Sequence, residues 1–268
     1  MRNETELKRI EELELKYLNK YYYFMKFALD EMLNGFKTKY KIKSDWIDKW
    51  NPDDGEKGIS DFATGAERIV YSHLNGKGIG QPNSSPIGSD LFFEVDDAFI
   101  HIDLKTVQTR NIGDYTRDIF VGNNQNSYKG TVEVSGNDRI YEEAALPTYY
   151  TINNDFKKPC LTYFITILYE EENLQIINMN ILCMPNGELN DVYGKRILKA
   201  GKIRYPQGDP KRDTHSKTIR YKWAENINFE MLNNAKRMRV IYFNQDIDEG
   251  IKSKLSFIED IYNKQGSF

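Results

Sequence analysis

One stretch restricts the fold of this 268-residue chain more than any other. In Phe99-Ile100-His101-Ile102-Asp103-Leu104-Lys105-Thr106-Val107 the side chains alternate in character, and a strand points successive side chains to opposite faces. Ile100, Ile102 and Leu104 therefore share one face, and Asp103 and Lys105 share the other. Leu91-Phe92-Phe93-Glu94-Val95 reads as the preceding strand, and Asp96-Asp97-Ala98 as the tight turn that makes the two an antiparallel hairpin. Folding back across that turn brings Asp90, at the head of the first strand, toward Asp103.

Two longer apolar runs, Leu161–Leu168 and Leu174–Leu182, flank the acidic turn Glu170-Glu171-Glu172-Asn173 and read as central strands extending the same sheet. Helical periodicity marks Glu4 to Leu33, with Ile10, Leu13, Tyr17, Leu18, Tyr21, Met25 and Met32 on one side, before a polar break at Asn34-Gly35. A short helix is expected over Ser44–Trp50, stopped at Asn51-Pro52, then a turn from Asp53 to Gly58. A helix carrying Glu67 follows, with Phe62, Ala66, Val70 and Leu74 toward the core. Gly76 to Gly88 reads as a long loop opening onto Asp90. Further helices are expected over Ile140–Ala145, Asn226–Met238 and Asp248–Tyr262, with a short strand at Val240–Phe243. These elements predict an α/β fold: a mixed central sheet flanked by helices, with a helical N-terminal extension. The chain reads as a single elaborated domain, with the extension at 1–50, a core at 58–183, a basic region at 195–222 and a C-terminal helical part at 226–268.

Several chemistries find no support in the residues. His73, His101 and His215 show no HExxH or paired spacing, and Cys160 and Cys183 are too few for a thiolate metal site, so buried free thiols are expected. The Gly78-x-Gly80 loop lacks the lysine and hydroxyl of a nucleotide-binding loop, so no nucleotide cofactor is expected, and no Gly-x-Ser-x-Gly elbow occurs. Neither a membrane span nor an N-terminal secretion signal is legible, and a cytoplasmic location is the expectation.

Two carboxylates and an ammonium on one sheet face can hold a hard divalent cation and attend a water attacking phosphorus. Magnesium accepts oxygen ligands and keeps several waters, so two protein carboxylates suffice. The plainer alternative is an ion pair on a solvated sheet face, worth little. Acid-x-Lys triplets also occur at Glu6-Leu7-Lys8 and Glu14-Leu15-Lys16, in a helix read as surface, and at Asp155-Phe156-Lys157 and Asp209-Pro210-Lys211, in loops. Only the triplet at 103 lies in a strand with an acid heading its partner.

Asp90, the hairpin and Asp103-x-Lys105 resemble the PD-(D/E)xK nuclease superfamily, most of all a type II restriction endonuclease, over roughly residues 58 to 108. The resemblance implies a restriction-endonuclease-like fold and Mg2+ held by Asp90, Asp103 and the carbonyl of Leu104. It also implies Lys105 serving the attacking water, and a helical glutamate, Glu67, joining the catalytic set. The chain departs from the pattern before Asp90, where Ser89 stands and the nearest proline is Pro86.

The chain sums to a net charge of −3, yet residues 195–222 hold ten basic groups against Asp209 and Asp213. Such asymmetry suits phosphate contact on one face, with Lys211, Arg212, Lys217 and Arg220 the candidates. Asn123, Asn124, Gln125 and Asn126 carry amides that can pair with adenine in the major groove. The expected activity is Mg2+-dependent, sequence-specific cleavage of double-stranded DNA, by a homodimer on twofold-symmetric sites within a restriction-modification system. A repair or junction-resolving nuclease with the same core, or a non-catalytic DNA-binding module, are the alternatives.

Overall fold

The computed structural model describes residues 4–41, 62–75, 81–82, 89–134, 136–201, 219–222, 228–229 and 235–265. The expected helix at 44–50, the turn at 53–58, nearly all of the 76–88 loop, and Lys211, Arg212 and Lys217 lie outside the described residues.

Helix α1 (Glu4–Phe27) bends at Ala28 into α2 (Leu29–Lys41). The bend keeps its hydrogen bonds, Ala28 N–H to Phe24 O and Met32 N–H to Ala28 O, and the helix runs on through the expected break at Asn34-Gly35. Gly35 has a packing reason to be small: a Cβ there would lie 3.1 Å from Ile69 Cδ1 on α3 (Phe62–Leu74), so its absence lets the two helices approach.

Strands β1 (Gln81–Pro82), β2 (Leu91–Glu94) and β3 (Phe99–Gln108) open the main sheet, and β4 (Asp118–Val121), β5 (Gly130–Val134) and β6 (Asn137–Tyr141) lie apart from it. The chain rejoins the sheet through β7 (Tyr149–Ile152), β8 (Phe156–Tyr169) and β9 (Ile176–Met184). After the one-turn α4 (Asn190–Tyr193) come β10 (Leu198–Ala200), β11 (Ile219–Lys222), β12 (Asn228–Phe229), β13 (Ala235–Lys236) and β14 (Met238–Phe243), then α5 (Glu249–Lys254) and α6 (Ser256–Lys264). The main sheet runs β1-β2-β3-β8-β9-β14, with β7 added to β8. Only the β3–β8 pair within it is parallel, which makes the sheet mixed, as expected.

Buried strands read as continuous apolar runs, and β9 is interior along its whole length, as is most of β8. Tyr163, on one face of β8, donates to the Glu14 carbonyl of α1, and Tyr169, on the same face, stacks on Phe62 of α3 at 4.0 Å. Helices α1 and α3 thus cover the face that also carries Ile100, Ile102 and Leu104. The register pairs Asp103 with Phe164 and Lys105 with Thr166, so the acid and the lysine emerge on the face opposite those helices.

Three local expectations are corrected, and one hairpin turn joins them. Residues 140–145 are not helical: Ile140 and Tyr141 end β6, whose hairpin with β5 turns through Gly136 at φ +80°, a conformation glycine adopts freely. None of the described residues within Asn226–Met238 is helical: β12 pairs with β13 and β14 begins at Met238, and the next described helix starts at Glu249. The β7–β8 hairpin closes on Asn153 and Asn154, both at positive φ, with Asp155 N–H bonded to Ile152 O, a primed turn that asparagine tolerates. Glu14, read as surface, is fully buried, and α1 is part of the core rather than an appendage.

Candidate active site

β2 begins one residue after Asp90, and the site is built on that boundary. Leu91 pairs with Ile102, and two residues further along the ladder Leu104 faces no strand residue. Its N–H is taken instead by Asp90 Oδ2 at 2.6 Å. A residue's N–H and C=O leave a strand on the same edge, so the Leu104 carbonyl is turned to the Asp90 side as well. Ser89 Oγ bonds the Leu91 carbonyl at 3.1 Å and lies 3.0 Å from His101 Nδ1, while His101 Nε2 lies 2.9 Å from the Tyr150 hydroxyl. His101 stacks on Phe92 and is buried, which pulls its pKa down to about 4 and keeps it neutral at pH 7.

Asp103 is only 4% exposed, so the reading of this triplet as an ion pair on a solvated face does not hold. Burial raises its carboxyl to about pH 7; the Lys105 ammonium works against that shift and the neighbouring Asp90 carboxylate adds to it. Oδ2 contacts the Lys105 ammonium without a hydrogen bond, while Oδ1 accepts from Gln125 Nε2 at 2.9 Å. Lys105 Nζ donates to Gln125 Oε1 at 2.8 Å. From Lys105 a cavity of about 530 Å³ runs along β3, lined by Gln108, Asn111, Asp114, Phe120 and Tyr169.

The donor set suits a hard divalent cation: two adjacent carboxylates, one buried oxygen lacking a hydrogen bond, and a backbone carbonyl on the same strand edge. Glu67 lies on α3, and among the described residues no group of three or more His, Cys, Asp or Glu converges. Asp155-x-Lys157 follows the β7–β8 turn with both charged residues exposed, and forms no such site.

Two residues expected to contact DNA are spent inside the protein. Asn126 is fully buried, donating to the Gly122 carbonyl at 3.0 Å and accepting the Tyr128 N–H at 3.0 Å, so no amide group remains for a base. Arg220 is buried too, paired with Asp118 and with Asp114 at 3.1 Å and stacked 4.0 Å over Phe120. Of the Asn-rich turn, Asn123 and Asn124 face outward, whereas Gln125 points into the site. The short-range amide pattern around Gln125 carries no record of the strand it folds against.

A mixed sheet with paired acids and a lysine at a hairpin edge defines the restriction-endonuclease class of fold. Two solved structures share it. One is described as the restriction endonuclease BglI bound to its DNA recognition sequence (TM-score 0.66, 15% identity, covering 89% of this chain and 91% of that one). The other is tetrameric restriction endonuclease SfiI bound to cognate DNA (TM-score 0.63, 16% identity, covering 90% and 87%). No curated protein matches the chain. Residues 6–173 match the N-terminal domain of the type II restriction enzyme MwoI, and residues 176–243 match its central domain. The chain therefore belongs to the MwoI family of type II restriction enzymes and is a sequence-specific deoxyribonuclease.

Proposed function

We propose that Asp90, Asp103 and the Leu104 carbonyl hold Mg2+ and that Lys105 attends the water attacking a DNA phosphodiester. The observation that supports this best is the buried Asp103 carboxylate beside Asp90, its Oδ2 against the Lys105 ammonium, with a cavity beyond Lys105. Bound there, the cation would offset charge on the phosphate and lower the pKa of a coordinated water. Asp90 keeps the strand edge closed through Leu104 N–H and presents its second oxygen. Asp103 would present Oδ2 to the cation. Lys105 moves from the carboxylate to orient the water and stabilise the pentavalent phosphate.

DNA is the partner named for both structural relatives, and the substrate here is double-stranded DNA. Asn123 and Asn124 remain the base-reading candidates, and Lys211, Arg212 and Lys217 the phosphate contacts. Cleavage of both strands calls for two centres, so the working form is a homodimer or a higher assembly of dimers. The enzyme works in the cytoplasm, in keeping with two buried free cysteines; among the described residues no helix is long and apolar enough to cross a membrane.

The test is incubation with plasmid and genomic DNA, with and without Mg2+, followed by sequencing of fragment ends. Discrete fragments sharing one sequence at their ends, formed only with the metal, are expected. Absence of cutting, or equal cutting in chelator, would refute the proposal.

A further inference from the structure

Gln125 is held at its amide from three sides. Lys105 Nζ and the Gly122 N–H both donate to Oε1 at 2.8 Å, and Nε2 donates to Asp103 Oδ1 at 2.9 Å. An ammonium can only donate, so the oxygen must face Lys105 and the nitrogen is left for Asp103. The amide fits one way round.

Its base is equally fixed. Besides the Asn126 bonds to Gly122 and Tyr128, Ala145 N–H reaches Asn123 O at 2.6 Å and Leu146 N–H reaches Asn126 O at 3.2 Å. The side chain comes off a fastened turn, not a loose loop. A lysine held by Asp103 alone would compete with a cation for that carboxylate. A neutral amide oxygen gives the ammonium a partner besides the carboxylate, while the amide nitrogen bonds Asp103 Oδ1 and so turns Oδ2 toward the ammonium.

We propose that Gln125 is a positioning residue for cleavage, setting Asp103 and Lys105 relative to each other, and not a reader of bases. The proposal rests on the assignment of Asp103 and Lys105 to the reaction. Outer-shell partners of this kind are worth roughly 10–100-fold in metal affinity or activity.

Gln125→Met keeps the side-chain length and removes all three bonds; Gln125→Glu keeps the acceptor for Lys105 and Gly122 but sets an oxygen against Asp103. Three quantities separate the possibilities: the single-turnover rate on plasmid DNA in Mg2+, the Kd for the same DNA in Ca2+, and Ca2+ affinity by calorimetry without DNA. Each folded variant is expected to cut roughly 10–100-fold more slowly, with DNA Kd unchanged within about threefold and Ca2+ affinity altered. If Gln125→Met does not fold, Gln125→Glu alone decides. Wild-type rates, or a loss of DNA affinity as large as the loss of rate, overturn the proposal. Lys105→Ala is run alongside: if it still cuts, the underlying site assignment fails, whereas a dead Lys105→Ala beside fully active Gln125 variants sinks this inference only.

Discussion

Two of the acid–cation clusters among the described residues behave differently. Arg237 donates to Glu14 Oε2 at 2.8 Å, faces Glu11 Oε1 at 3.4 Å and the Tyr193 hydroxyl at 3.2 Å, and lies over the Tyr193 ring at 4.6 Å. Glu14 also accepts the Asn186 N–H at 2.6 Å. At the other cluster Lys105 meets Asp103 beside Asp90. Each cluster leaves one carboxylate oxygen without a hydrogen bond, Glu11 Oε2 in the first and Asp103 Oδ2 in the second. Lack of a hydrogen bond is therefore not what distinguishes a site from a staple. Access is: Glu11 and Glu14 are sealed, whereas Lys105 borders an open cavity and Asp90 is half-buried. The cations differ to match. Arginine's planar fork suits a permanent buried network, and lysine's single ammonium can leave one partner for another.

The sharpest break of the comparison comes at Lys105. Lys105→Ala should lower the cleavage rate by about 10²–10⁴-fold while DNA binding in Ca2+ stays intact; an unchanged rate would move the chemistry elsewhere. Arg237→Met should do the opposite. Leaving two buried carboxylates with no cation should cost about 3–5 kcal/mol of stability, read as a lower urea midpoint, with the single-turnover rate of the remaining folded enzyme unaltered. Loss of rate without loss of stability would make that cluster functional after all.

A smaller effect separates the basic residues. Neutralising Lys211 or Arg212 should flatten the salt dependence of DNA binding by about 0.9 in log–log slope for each phosphate left without its cationic partner. Arg220→Ala should leave that slope alone and lower stability, because Arg220 is occupied by Asp118 and Asp114. The smallest effect is a pH dependence. Buried His101 titrates at about 4 in the folded chain against about 6.5 unfolded. The unfolded state therefore binds the extra proton between those values, and stability held above pH 6.5 is lost progressively as pH falls toward 4. In His101→Phe that part of the decline should vanish from urea midpoints measured across the window; an identical decline would mean His101 is charged in the fold.

The hairpin, the alternation of β3 and the two interior strands were legible in the sequence because each is a short-range pattern repeated over many residues. Asp103 and Lys105 could be read for the same reason. What escaped is long-range. Glu14 and Lys16 are spaced like any surface helix pair, and nothing near them announces Arg237, more than two hundred residues away, as the partner that draws Glu14 inside. Arg220 and Asp118 are likewise brought together only by the pairing of β11 with β4. Asn126 and Gln125 look alike in sequence, yet one closes a turn and the other reaches β3. The turn at Asn153-Asn154 was within local reach, since paired asparagines favour positive φ, but its flanking strands lack the alternation that would have drawn notice.

The boundary of β2 at Leu91 has a further consequence. Because a carboxylate stands in where a backbone carbonyl would otherwise close the ladder, the first acid is a stitch in the sheet as well as the ligand proposed above. Silencing the enzyme by Asp90→Ala would also unpick the hem of the hairpin, whereas Asp90→Asn keeps an oxygen for Leu104 and is the cleaner way to obtain an inert protein that still grips its target.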